Sequence, residues 1–127
     1  MMIKQLSVFL ENRPGTLDEA LKVLKEAGVN MTALSLADTS EFGIMRIISD
    51  DPDAAKQAMK SAGYTSIVNE VIEVELKHEV GYLAGIVGKL SKAGVNIEYM
   101  YAAPSDKSSA RMIIKTDDAV KAEEAIG

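Results

Sequence analysis

The 127-residue chain contains no cysteine and no tryptophan. The missing cysteine removes disulfides, thiolate nucleophiles and cysteine-bound zinc together. There is a single histidine, His78, so a histidine metal cluster or a Ser-His-Asp arrangement would have to rest on one imidazole. The alternating Asp-x-Asp-x-Asp-Gly spacing of a calcium loop is also missing. No metal or cofactor is expected. Lys and Arg number 14 against 19 Asp and Glu, a formal charge of −5. Such a chain lacks the basic field that holds phosphate backbones or anionic lipid, so neither nucleic acid nor membrane is an expected partner. No run approaches the ~18 apolar residues of a membrane span. The opening MMIKQLSVFLENRPG meets charge too early for a secretory leader, which makes the cytoplasm the expected location.

What the sequence does contain is a repeat. Residues 15–30 (GTLDEALKVLKEAGVN) align without gaps on residues 81–96 (GYLAGIVGKLSKAGVN). Gly15, Leu17 and Leu24 fall on Gly81, Leu83 and Leu90, and AGVN recurs intact. The offset extends backwards, from Leu6, Val8 and Leu10 to Ile72, Val74 and Leu76. Two modules follow, residues 1–69 and 70–127.

Each copy has the same order of elements. Residues 3–11 alternate, with Leu6, Val8 and Leu10 on one face and Gln5, Ser7 and Glu11 on the other, as in a strand with one buried face. Asn12-Arg13-Pro14-Gly15 breaks it. Thr16 and Glu19 have capping-box spacing, Leu17, Ala20, Leu21, Leu24 and Ala27 form a helical stripe, and Gly28 suits a left-handed helix end. Residues 31–37 and 44–49 read as strands joined by a turn at Thr39-Ser40-Glu41 and Gly43. Asp51 and Pro52 open a second helix, Gly63 follows it, and 64–68 reads as a fourth strand. The second copy repeats this through 71–77, 82–93, 96–102, 110–115 and 117–126, and ends before its fourth strand. The fold class is α+β: two ferredoxin-like βαββαβ modules, each an antiparallel sheet with helices on one face, the second without its last strand and with an edge that must be covered, paired or tolerated.

The run Glu11-Asn12-Arg13-Pro14-Gly15-Thr16-Leu17, followed by Ala27-Gly28-Val29-Asn30-Met31, resembles the signature of ACT domains. The second copy keeps Gly81, Leu83 and Ala93-Gly94-Val95-Asn96-Ile97, and departs where His78-Glu79-Val80 replaces Asn12-Arg13-Pro14. The resemblance covers the whole chain and leaves no catalytic domain over. It implies a stand-alone tandem ACT protein, an amino-acid-binding regulator or sensor, with a free amino acid as ligand, a homodimer, and an unidentified regulated enzyme as possible partner.

The chemistry of such a site follows from residue types. Helix N-termini after the first strand of each copy favour a carboxylate. Gly15 and Gly81 permit close backbone approach, and the Asn30 and Asn96 amides, expected beside those turns, can accept from an ammonium. The candidate ligand-binding residues are Asn12, Arg13, Pro14, Gly15, Thr16, Leu17, Asn30 and Met31 in the first copy. In the second they are His78, Val80, Gly81, Tyr82, Leu83, Asn96 and Ile97. Arg13 could grip a carboxylate through two hydrogen bonds and Glu79 would oppose one, so the first copy is expected to bind more strongly.

Plainer readings stand beside these. The glycines suit tight turns without a ligand, and the asparagines can satisfy local backbone. His78 suits an ordinary surface position. Arg46 and Arg111 suit a solvated sheet face. The methionines suit pliable core, and Asp50, Asp51, Asp53, Asp117 and Asp118 suit helix N-termini. Gly81, Gly85 and Gly88 share one helix face that could seat a neighbouring helix. Competing functions are a ligand-free interaction or oligomerisation module, an RNA-binding ferredoxin-like domain using Tyr99 and Tyr101, and a small phosphatase using Arg13.

Overall fold

The computed structural model describes residues 1–38, 42–106 and 110–127. The elements are β1 (Met2–Glu11), α1 (Thr16–Glu26), β2 (Met31–Asp38), β3 (Phe42–Ser49), α2 (Pro52–Ser61), β4 (Ser66–Leu76), α3 (Tyr82–Lys92), β5 (Ile97–Ala103), β6 (Ala110–Thr116) and α4 (Ala119–Ile126). They group into two compact units, Lys4–Asn69 and Met1–Ile3 with Glu70–Gly127. The expected strands at 64–68 and 71–77 are one strand, β4. Gly43 is not a turn residue but lies inside β3, opposite Leu10 and Asp38. The expected turn residues Thr39, Ser40 and Glu41 lie outside the described residues.

In the first unit the strand order is β2-β3-β1-β4. Leu6 pairs with Ile47 and Val8 with Met45 across an antiparallel ladder. These side chains meet Ala20 and Leu24 of α1 and Ala55 and Met59 of α2 in one core. Leu24, Met45 and Met59 are wholly buried, and burial of each such side chain stabilises by about 1.5–3 kcal/mol. Gln5 and Ser7, read from the sequence as an outward face, are buried as well. The Gln5 amide donates to the Ser7 hydroxyl at 3.3 Å, and that hydroxyl donates to Asn69 Oδ1 at 3.1 Å. Such partners are what allow polar groups to leave water.

The second unit has the order β4-β6-β5, with Ile72 opposite Ile114 and a core that includes Ile72, Ile114, Leu90 and Ala122. Among the described residues no strand follows α4, and Met1–Ile3, at the start of β1, lies in the corresponding place beside β4. Glu73 N–H donates to the Met1 carbonyl at 2.8 Å, and the Met1 amine donates to the Glu73 carbonyl at 2.9 Å. Met2 packs on the second core, and its N–H donates to the Glu123 carboxylate at 3.2 Å. For this reason residues 1–3, assigned by the sequence reading to the first module, belong to the second compact unit.

Equivalent positions differ by 66 at Leu6 and Ile72 but by 67 at their partners Ile47 and Ile114. One extra residue therefore sits in the second hairpin. No helix among the described residues is long and apolar enough to cross a membrane.

Candidate ligand-binding turns

The chain forms the same backbone turn twice between a strand and the following helix. In the first, Arg13 N–H donates to the Glu11 carbonyl at 2.9 Å, Thr16 N–H to Arg13 at 3.4 Å and Glu19 N–H to Gly15 at 3.0 Å. In the second, Glu79 N–H donates to Lys77 at 2.8 Å, Tyr82 N–H to Glu79 at 3.3 Å and Gly85 N–H to Gly81 at 2.9 Å. Gly15 (φ 90°) and Gly81 (φ 81°) occupy the N-cap positions of α1 and α3 in the left-handed region, with no side-chain cap in either helix. That conformation costs a residue with a Cβ about 1–2 kcal/mol.

The expected capping box does not form. Gly15 holds the N-cap position, so Thr16 is already the first helical residue. Its hydroxyl turns back to donate to the carbonyls of Glu11 at 2.9 Å and Arg13 at 3.1 Å. The Glu19 carboxylate accepts from Arg13 at 3.3 Å. By contrast, α2 and α4 are capped by their own aspartates. Asp51 accepts from Ala54 N–H at 3.1 Å and Asp118 from Lys121 N–H at 3.0 Å. Asp50 and Asp117, read as charges at helix starts, instead accept from Asn30 N–H at 3.2 Å and Asn96 N–H at 3.0 Å, tying the start of β2 and of β5 to the end of the neighbouring strand.

Asn12, Arg13, Gly15, Thr16 and Leu17 line a hollow of about 250 Å³ together with Leu36, Asp38 and Gly43. Pro14 is an exposed residue of the same turn. His78, Val80, Tyr82 and Leu83 line a hollow of about 440 Å³ with Leu76, Lys77 and Glu79, and Gly81 lies between them in the chain. Asp38 and Lys77 were not anticipated. Asp38 could have been, because counting back along an antiparallel hairpin brings the end of β2 level with Glu11 through β3.

The asparagines lie elsewhere. Within the first unit, Met31 pairs with Ser49, whereas the turn end of the sheet carries Asp38, Gly43 and Leu10. Asn30 and Met31 therefore sit at the opposite end of the sheet from Gly15, the length of α1 away. Asn96 and Ile97 likewise line a separate hollow of about 390 Å³ with Ser91 and Gly94. The expectation that these amides stand beside the glycine turns of their own module is corrected. A helix laid antiparallel on a strand necessarily returns the chain to the strand's beginning.

Arg13, offered as a carboxylate clamp, is already engaged. Its Nε donates to Glu11 at 3.0 Å and its Nη2 to Glu19 at 3.3 Å. Hydrogen bonding to Glu11 and then to Glu19 raises its pKa further. Arg111 is not on a solvated face. It donates to Glu73 at 2.7 Å, with side chains only 12% and 17% exposed, and to the Pro104 carbonyl at 2.9 Å. Arg46 is half-buried on β3 opposite Ser7 and Ser35. Tyr99 and Tyr101 lie on β5, the end strand in its sheet order, rather than on central strands. A Cβ built on Gly85 or Gly88 would meet nothing within 4 Å among the described residues, so within its own unit the glycine stripe seats no neighbouring backbone. Among the described residues no cluster of three His, Cys, Asp or Glu side chains could hold a metal ion.

The family model described as an ACT domain pair matches residues 1–127, and the chain belongs to that family. No curated protein matches it. A crystal structure of a protein from Bacteroides thetaiotaomicron is 37% identical, covers 99% of this chain and 87% of its own, and superposes with a TM-score of 0.91. The ligand-free regulatory subunit of aspartate kinase from Thermus thermophilus is 16% identical, with 99% and 93% of the two chains covered and a TM-score of 0.69. The corresponding Thermus flavus subunit is also 16% identical, covers 99% and 93%, and has a TM-score of 0.68. These two likenesses concern the fold.

Proposed function

We propose that this ACT domain pair binds a free amino acid and serves as a cytoplasmic regulatory or sensor module with no catalytic step of its own. The observation that carries the reading is the division of its helix N-termini into two kinds. α2 and α4 are closed by Asp51 and Asp118, whereas α1 and α3 start at left-handed glycines without a side-chain cap. The first-turn N–H groups of a helix have no carbonyl within it to bond. At α1 and α3 a solute carboxylate would do what Asp51 does for α2, aided by the helix dipole. Asp38 lines the first hollow and Glu79 the second, and either carboxylate can accept from the ligand's ammonium.

The stronger site is at α3. Its first turn carries no acidic residue, whereas Asp18 and Glu19 sit in the first turn of α1, and Arg13 is held by two carboxylates. This reverses the preference for the first copy drawn from Arg13 and from the opposing charge of Glu79. The pair fold shared with regulatory subunits of aspartate kinase in Thermus fits a role as a regulator of another enzyme, and the family resemblance adds a homodimer to the proposal. Thermal-shift and calorimetric titration with the common amino acids tests the reading, since a ligand bound only by the native state raises apparent stability with concentration. Saturable binding of at least one amino acid is expected. Absence of heat and of any shift throughout would leave only a ligand-free interaction module.

A further inference from the structure

A second hollow, of about 420 Å³, shares Leu10, Glu11, Arg13 and Thr16 with the hollow at Gly15. Phe9, Phe42 and Tyr64, the only aromatic residues of Lys4–Asn69, all line it. Phe9 is 37% exposed and Phe42 51% exposed, an unusual display of phenyl surface, since apolar rings are normally withdrawn from water unless something covers them. Glu11 and Glu19 line the same hollow. They share the Arg13 guanidinium, so two carboxylates face one cation and the wall keeps a net negative charge. Ala62 and Gly63 bring up the carboxyl end of α2, which the helix dipole makes negative as well.

Aromatic faces and acidic groups around one space attract the same class of solute, a cation with an apolar body. The volume lies within the range of small-molecule sites. We propose that this hollow is a second binding site, distinct from the glycine turn at α3, for an organic amine whose ring or alkyl body lies against Phe9, Phe42 and Tyr64 while its ammonium faces Glu11 and Glu19.

Calorimetric and thermal-shift titration of the whole chain with phenethylamine and with 3-phenylpropanoate tests this, because the two probes share a ring and reach but carry opposite charge. The amine is expected to bind and the acid not to. Phe42→Ser and Glu19→Gln, both at exposed side chains, should each weaken amine binding about tenfold, while Gly81→Asp should leave it unchanged. Should Phe42→Ser fail to fold, Glu19→Gln decides alone. The proposal is overturned if the amine does not bind, if amine and acid bind equally, or if amine binding survives the substitutions. Loss of amine binding with amino-acid binding intact, or the reverse, separates this site from the one at α3.

Discussion

The two strand-to-helix turns share their backbone hydrogen bonds and share almost no side chains. At the first, Thr16 holds the carbonyls of Glu11 and Arg13, and Arg13 in turn holds the carboxylates of Glu11 and Glu19. At the second, Tyr82 replaces the hydroxyl residue, with Lys77 Nζ 5.9 Å from its ring centroid, and Val80 stands fully in solvent. A left-handed glycine and three amide bonds are thus enough to set the turn, leaving the flanking side chains to vary. In one copy they close the turn on itself. In the other they leave it open, and the pair offers two environments on one scaffold.

The comparison can be pressed at several points. Leu24→Ala and Leu90→Ala remove equivalent, wholly buried side chains, and each should cost about 3 kcal/mol in urea unfolding. A marked inequality would show that the two cores are not equivalent despite the repeat. Arg111→Ala breaks a nearly buried pair with Glu73 and should cost about 2–3 kcal/mol; a loss no larger than that of an exposed ion pair would refute its structural weight. Gly81→Asp should weaken amino-acid binding about tenfold, as an attached carboxylate competes for the amides of α3. Gly15→Asp should have a smaller effect, and the opposite ranking would return the stronger site to the first copy. Asp51→Ala and Asp118→Ala should each cost about 1 kcal/mol in thermal unfolding. Arg13→Ala, in an exposed network, should cost at most about 0.5 kcal/mol. A larger loss would mean that the first turn depends on its side chains after all.

Much of this arrangement was legible in the residues. The matched glycines and leucines located both helices and both turns, because spacing on a helix face and the need for a left-handed residue are local demands. Asp51 followed by Pro52 announced α2 for the same reason. Failures came where a local pattern met non-local partners. Thr16 and Glu19 had the right spacing for a capping box, but Gly15 had already taken the cap position. Gln5 and Ser7 alternated as a solvent face would, yet each found a hydrogen-bond partner and was buried. Arg111 read as surface until register placed Glu75 directly opposite and Glu73 within reach. The asparagines follow the helix closely in sequence and so read as neighbours of the glycine turns, whereas the path of the chain carries them to the other end of each sheet. The charge balance around Arg13 could not be read before the turn brought Glu11 and Glu19 to it.

The borrowed strand Met1–Ile3 also orders events in time. Met1 bonds the backbone of Glu73, 72 positions away, and Met2 a side chain 121 positions away, so this corner of the second unit forms only when three distant stretches of chain have met. Long-separation contacts of this kind are slow to form because the intervening loop must be closed first. Wherever Met1–Ile3 is not docked, that stretch of the β4 edge is bare and open to pairing with another copy.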